Sequence, residues 1–170
     1  MNRRRALAVL GSAGIISLSG CAGSTDYLGD DSLTESETRL LTKYEIGYDH
    51  YEDGISDLRS GMEAYKQDDY EAAESSFSSA IDSFRFAEAD FDRIEAETVS
   101  EVGSDDVRGM ISRAIEMSGD LQERADELST AAAELVESGE SADNRISEAR
   151  RELRNGGFDV PSPEDIEDEF

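Results

Sequence analysis

Residues 41–66 read LTKYEIGYDHYEDGISDLRSGMEAYK, and the spacing of their apolar side chains decides the fold class. Leu41, Tyr44, Tyr48, Tyr51, Ile55, Leu58, Met62 and Tyr65 follow one another at intervals of three and four in strict alternation. That spacing holds a stripe on one face of an α-helix, and over more than three heptads it forms a seam for another helix. A strand needs a period of two, and no run in the chain shows one. Gly47, Gly54 and Gly61 also recur every seven residues, so one strip of the helix carries no side chains. Glycine costs up to ~1 kcal/mol per helical position relative to alanine. Three in register predict close approach by a neighbouring helix, with a locally weak helix as the alternative.

The rest of the chain extends this pattern. Ser32-Leu33-Thr34-Glu35 has the form of a capping box and predicts where the first helix starts. Gln67-Asp68-Asp69 reads as a short turn, with Asp68 or Asp69 as the next N-cap. A second helix then places Tyr70, Ala73, Phe77, Ala80, Phe84, Ala87, Phe91, Ile94 and Thr98 on one seam. Its alternating aromatic and alanine positions suit interlocking with the tyrosines of the first helix. Ile81 and Phe86 widen the apolar face and call for a third helix. Ser104 caps that helix, whose seam is Val107, Ile111, Ala114, Ser118, Leu121, Ala125, Leu128, Ala132 and Leu135, thickened by Met110, Ile115 and Met117. Gly139 ends or kinks it. A shorter helix is expected over about 141–155, with Ala142, Ile146, Ala149 and Leu153 on one face and Gly156-Gly157 as its C-cap.

The expected fold is all-α: an elongated antiparallel bundle of three long helices plus one shorter helix, spanning residues 32–157. Residues 158–170 hold two prolines and six acids and are expected to be a poorly ordered acidic tail. Gly61, Tyr70, Ala73, Phe77, Ala80 and Ile81 also fall at the spacing of a tetratricopeptide repeat, so residues 61–81 resemble one such unit. The aromatic before Gly61 and the closing proline of that repeat are missing, and no second repeat follows. A plain helical hairpin has the same packing needs.

The N-terminus carries a different message. Arg3-Arg4-Arg5 precedes an apolar run of 13 residues, Ala6 to Leu18, diluted by glycine and serine. That is short of the ~20 residues a spanning helix needs, and it has the layout of an export signal. The pair Arg4-Arg5 before a weakly apolar segment points to twin-arginine export, with the general secretory route as the alternative. Leu18-Ser19-Gly20-Cys21 resembles the lipobox of prokaryotic lipoproteins. The resemblance implies that residues 1–20 are removed and that a diacylglycerol is attached to Cys21, the chain's single cysteine. Acyl chains of this kind give stable anchoring without a spanning helix. Residues 21–31 then read as a lipid-anchored, flexible tether.

Composition sets the environment. The formal net charge is −25, and losing the three arginines of residues 1–20 moves it to −28. With 41 acids spread along the chain and 14 Arg against two Lys, self-repulsion opposes a compact state in dilute buffer. Such repulsion is tolerable where salt shortens the Debye length to ~3 Å. The distribution resembles that of extreme halophiles, and with the signal it resembles a haloarchaeal lipoprotein. Nucleic acid is excluded as a partner because no basic patch could meet phosphate. One cysteine permits no intrachain disulfide.

Candidate chemistry is sparse. His50 with Asp53 at i, i+3 could touch a divalent ion, but two ligands on a solvated face make a weak site. Asp49-x-Tyr51-x-Asp53-Gly54 begins like a calcium loop and fails at its third and twelfth positions. No nucleophile elbow, Cys-x-x-Cys or phosphate-cradling glycine loop is present in the sequence. No catalytic, cofactor-binding or metal residues are therefore assigned. Tyr44, Tyr48, Tyr51, Tyr65 and Tyr70 could form core or line a binding groove, and aromatic stripes at helical spacing are more often core. The expected function is a non-enzymatic, lipid-anchored interaction or scaffolding module on the extracytoplasmic face of the membrane. Its partners would be the membrane through Cys21 and a protein, with homo-oligomers possible. The alternative is a ligand- or cation-binding lipoprotein using the tyrosine-rich face of helices 1 and 2.

Overall fold

The computed structural model describes residues 33–97, 104–138, 146–147, 151, 153 and 159–170, all within one compact unit. The export motif Arg4-Arg5, the lipobox Leu18 to Cys21 and the tether lie outside the described residues. Three long helices, α1 (Glu35–Lys66), α2 (Tyr70–Glu97) and α3 (Asp105–Ser138), are followed by a one-turn helix α4 (Pro163–Glu167). Among the described residues there is no strand. The shorter helix expected over 141–155 falls mostly outside the described residues; within it Ile146 is buried and Leu153 is half-buried against the core.

α1 begins two residues later than the sequence reading placed it. Thr34 is the N-cap, and its box partner is Glu37: the Glu37 amide donates to Thr34 Oγ1 and the Thr34 amide to Glu37 Oε2. The overlapping run Thr34-Glu35-Ser36-Glu37 satisfies the pattern, and two amides find acceptors at once. Asp68 takes a left-handed φ of 59°, which Asp tolerates better than most residues, and turns the chain. Asp69 Oδ1 then accepts from the Ala72 amide and caps α2. Ser104 caps α3 in the same way, accepting from the Val107 amide.

α2 is the central element. It packs along both α1 and α3, while α1 and α3 touch only at a few points. Every described seam residue of α2 from Ala73 to Ile94 is buried, and so is the whole α3 seam from Val107 to Leu135. Ser118 sits among them, and its hydroxyl donates to the Ala114 carbonyl at 2.8 Å, so the buried oxygen is satisfied.

The seam of α1 differs from the expected one. Its buried residues are Leu40, Tyr44, Gly47, Tyr51, Gly54, Leu58 and Gly61, with Leu41, Tyr48, Ile55 and Met62 only half-buried beside them. The bare strip is thus the middle of the interface. Rings from α2 fill it: Phe91 lies on Gly47, Phe84 on Gly54 and Phe77 on Gly61. A Cβ at Gly47, Gly54 or Gly61 would stand 2.7, 2.6 or 2.5 Å from the nearest ring carbon. Phe86 is a further difference. It does not face α3; it is 52% exposed and lies 5.7 Å from the His50 ring, under the Arg85 guanidinium.

Cations are used locally. Arg39, Lys66, Arg85, Arg93, Arg108 and Arg124 each bridge a carboxylate three or four residues away on the same helix. Such exposed pairs contribute roughly 0.3–0.5 kcal/mol each, so burial of the aromatic seam dominates.

The glycine strip yields a paired prediction. Gly54→Ala forces the Phe84 ring to move and should destabilise by about 1–3 kcal/mol, less the gain in helix propensity. Gly109 on α3 has nothing within 4 Å of an added Cβ, so Gly109→Ala should stabilise by up to ~1 kcal/mol. Urea unfolding at high salt measures both, and equal effects at the two sites would refute the packing argument.

Candidate binding groove

Tyr44, Tyr48 and Tyr51 recur at four and three residues and so share a face of α1. Two of them are core. Tyr44 is fully buried with its ring 5.0 Å from Phe91, and Tyr51 is buried with its ring 5.9 Å from Phe84. Their hydroxyls reach past the core to the C-terminal segment. Tyr44 Oη donates to the Pro161 carbonyl at 2.7 Å, and the Tyr51 hydroxyl bonds the Val160 backbone.

This corrects the expectation of a poorly ordered tail. Residues 159–162 lie against α1 outside any helix, which suits residues preceding proline, because the proline ring disfavours helical backbone before it. Both Val160 and Ser162 precede a proline, and Ser162 has φ −72° and ψ 162°. Pro163 then sits at the first position of α4, where its missing amide hydrogen is harmless. Ser162 and Asp165 form a capping box, and the amide and hydroxyl of Ser162 hold the Asp165 carboxyl below the usual carboxylate range. Val160 and Ile166 are buried in the common core, which anchors this strap at two points. The signal was present as a Ser162-x-x-Asp165 box flanked by two apolar residues, but six acids and two prolines outweighed it.

Beside the strap, a cleft of about 780 Å³ opens between α1 and α3. Tyr48, Ile55, Leu58 and Met62 of α1 form one wall, and Leu121 of α3 with Leu153 and Val160 the other. Its charged rim is Glu52, Arg59, Glu63, Lys66 and Asp159. Lys66 Nζ donates to Glu63 Oε2 at 2.8 Å, and with Gln67 it holds that carboxyl low. Tyr51 also lines the cleft, and Tyr48 is the half-buried tyrosine of its wall. Burial raises its pKa, and so do the carboxylates of Glu52, Glu164, Asp165 and Asp159.

His50 is not brought to Asp53. Its Nδ1 lies 3.0 Å from Asp90 Oδ2 across the α1–α2 interface; the carboxylate can only accept, so Nδ1 carries the hydrogen. Asp90 also receives Arg93. Among the described residues no group of three His, Cys, Asp or Glu side chains is placed to hold a metal ion. Tyr65 and Tyr70 stack at 5.6 Å where α1 turns into α2, away from the strap.

No protein-family model, curated protein or solved structure matches this chain. Its reading rests on its own geometry.

The buried phenols make a pH prediction. Burial pushes Tyr51 up to about 12, with Asp159 adding to it, and raises Tyr44 further still. A raised folded pKa gives stability that is fully present below the unfolded value of about 10 and lost as pH climbs through the folded one. Absorbance titration should therefore show the Tyr44 and Tyr51 phenols among the last to ionise, coupled to unfolding between about pH 10 and 12. Tyr44→Phe should remove one of them and weaken the fold by about 0.5–1.5 kcal/mol through the lost hydrogen bond. Ionisation of all tyrosines together near pH 10 would contradict this geometry.

Proposed function

We propose that this chain is a lipid-anchored, non-enzymatic interaction module in which an antiparallel helical bundle is held off the membrane by the tether of residues 21–31. In this reading Arg4-Arg5 directs export, Leu18-Ser19-Gly20-Cys21 is the lipobox, and Cys21 carries a diacylglycerol on the extracytoplasmic side. Among the described residues no helix is long and apolar enough to cross a membrane. The acid surplus suits work at high salt, where screening removes most of the self-repulsion.

The observation that carries the interaction reading is the cleft between α1 and α3. An apolar floor with a charged rim fits a protein segment, whose apolar side chains fill the floor while polar groups stay wet. The rival reading, a small ligand held by the tyrosine-rich face of α1 and α2, is weakened because Tyr44 and Tyr51 spend their hydroxyls on the strap. It retains Tyr48 and, away from the strap, Tyr65 and Tyr70.

Cys21→Ser should move the protein from the membrane fraction to the medium; retention at the membrane would refute the anchor. Photocrosslinking from Met62, at the cleft wall, should capture a protein in native high-salt membranes. Crosslinks no more frequent there than from Gly109 on α3 would refute the cleft as the partner surface.

A further inference from the structure

We infer that residues 159–170 form a salt-gated strap: they cover the hydroxyl ends of Tyr44 and Tyr51 when ionic screening is strong and lift off α1 when it weakens. The inference deepens the reading of the α1 groove as a docking surface, by naming what governs access to it.

The opposing forces are legible in the contacts. Holding the strap are two hydrogen bonds, from Tyr44 to the Pro161 carbonyl and between Tyr51 and the Val160 backbone, and the burial of Val160 and Ile166. Opposing it is charge. The strap carries Asp159, Glu164, Asp165, Glu167, Asp168 and Glu169 and no cation. It lies on a helix that presents Glu52 to the same cleft edge as Asp159. The Tyr48 hydroxyl lies in the field of Glu52, Glu164, Asp165 and Asp159 together, which puts α1 and strap carboxylates in one neighbourhood. Arg59 is the cation near the strap-bound Tyr51, and Lys66 further along is engaged by Glu63. Among the described residues of the cleft rim, acid outnumbers base: Glu52, Glu63 and Asp159 against Arg59 and Lys66.

Magnitudes decide the outcome. Screening length grows from ~3 Å at 1 M salt to ~10 Å at 0.1 M, so carboxylates several ångströms apart pass from masked to mutually repelling. Against this the strap sets two hydrogen bonds and the burial of Val160, Ile166 and part of Phe170, whereas α1 and α2 share a continuous aromatic seam. Segments with few buried contacts open before the global unit does. The strap should therefore release at a salt concentration where the α1–α2 seam still stands. Release frees the Tyr44 hydroxyl as a donor and the Tyr51 oxygen as an acceptor, together with the apolar sites vacated by Val160 and Ile166.

Hydrogen–deuterium exchange on the full chain carrying Cys21→Ser tests this in sodium chloride from about 3 M down to about 0.2 M. The expected result is loss of protection in peptides covering 159–168, at least tenfold in exchange rate, while peptides covering Phe77 to Phe91 stay protected. Glu52→Gln with Glu164→Gln, neither of which touches the core, should hold the strap down at low salt. The inference is overturned if strap and α2 lose protection together, if the strap stays protected throughout, or if the double variant behaves like the parent. Because no partner is present in the experiment, these failures would leave the anchoring and crosslinking results of the proposed function standing.

Discussion

Three phenylalanine rings seated on three bare glycines hold this structure in register. Phe77, Phe84 and Phe91 are each fully buried, and each lies where a Cβ on the opposite helix would collide with it. The arrangement is energetically sensible. Glycine sacrifices up to ~1 kcal/mol per position in helix propensity, while burying a large apolar side chain returns roughly 1.5–3 kcal/mol. Packing wins, provided that the rings and the bare positions stay matched. A shift of one residue on either helix would set rings against side chains, so the seven-residue repeat fixes register as well as affinity.

Much else follows from that match. With α1 seated against α2, Tyr44 and Tyr51 pack on Phe91 and Phe84 and turn their hydroxyls toward the strap. α3 packs on α2 and scarcely meets α1. A cleft remains between the two outer helices, and the C-terminal segment closes part of it. The cleft is thus a consequence of a layered arrangement around α2 and not of a dedicated binding motif.

Charge acts at a different scale. The ion pairs of Arg39, Lys66, Arg85, Arg93, Arg108 and Arg124 with neighbours three or four residues away lie within single helices, where they trim helix-surface repulsion. His50 with Asp90 does bridge two helices, at the margin of the interface beside the exposed Phe86. Cohesion therefore comes from apolar burial, and repulsion from a surplus of carboxylates that only the solvent can screen.

The α2 seam from Ala73 to Ile94 and the α3 seam from Val107 to Leu135 were legible residue by residue, because nearly all their buried positions bear apolar side chains and periodicity detects those. The α1 seam was legible only to within one residue: Leu41, Tyr48, Ile55 and Met62 imitate a seam, while its true centre is glycine, which contributes nothing to an apolar pattern. The capping residue Thr34 was misjudged by two positions because two serine-or-threonine boxes overlap there. The strap was missed because a local composition of acids and prolines cannot reveal that Val160 and Ile166 find a core elsewhere in the chain. By itself, then, the sequence determined a helical chain with heptad seams, a glycine strip, an excess of acid and the residues on which the lipoprotein reading rests. Only the tertiary structure decided which side chains fill the strip, where the tyrosine hydroxyls go and where the cleft opens. Those depend on contacts between segments far apart in the chain, which no local spacing encodes.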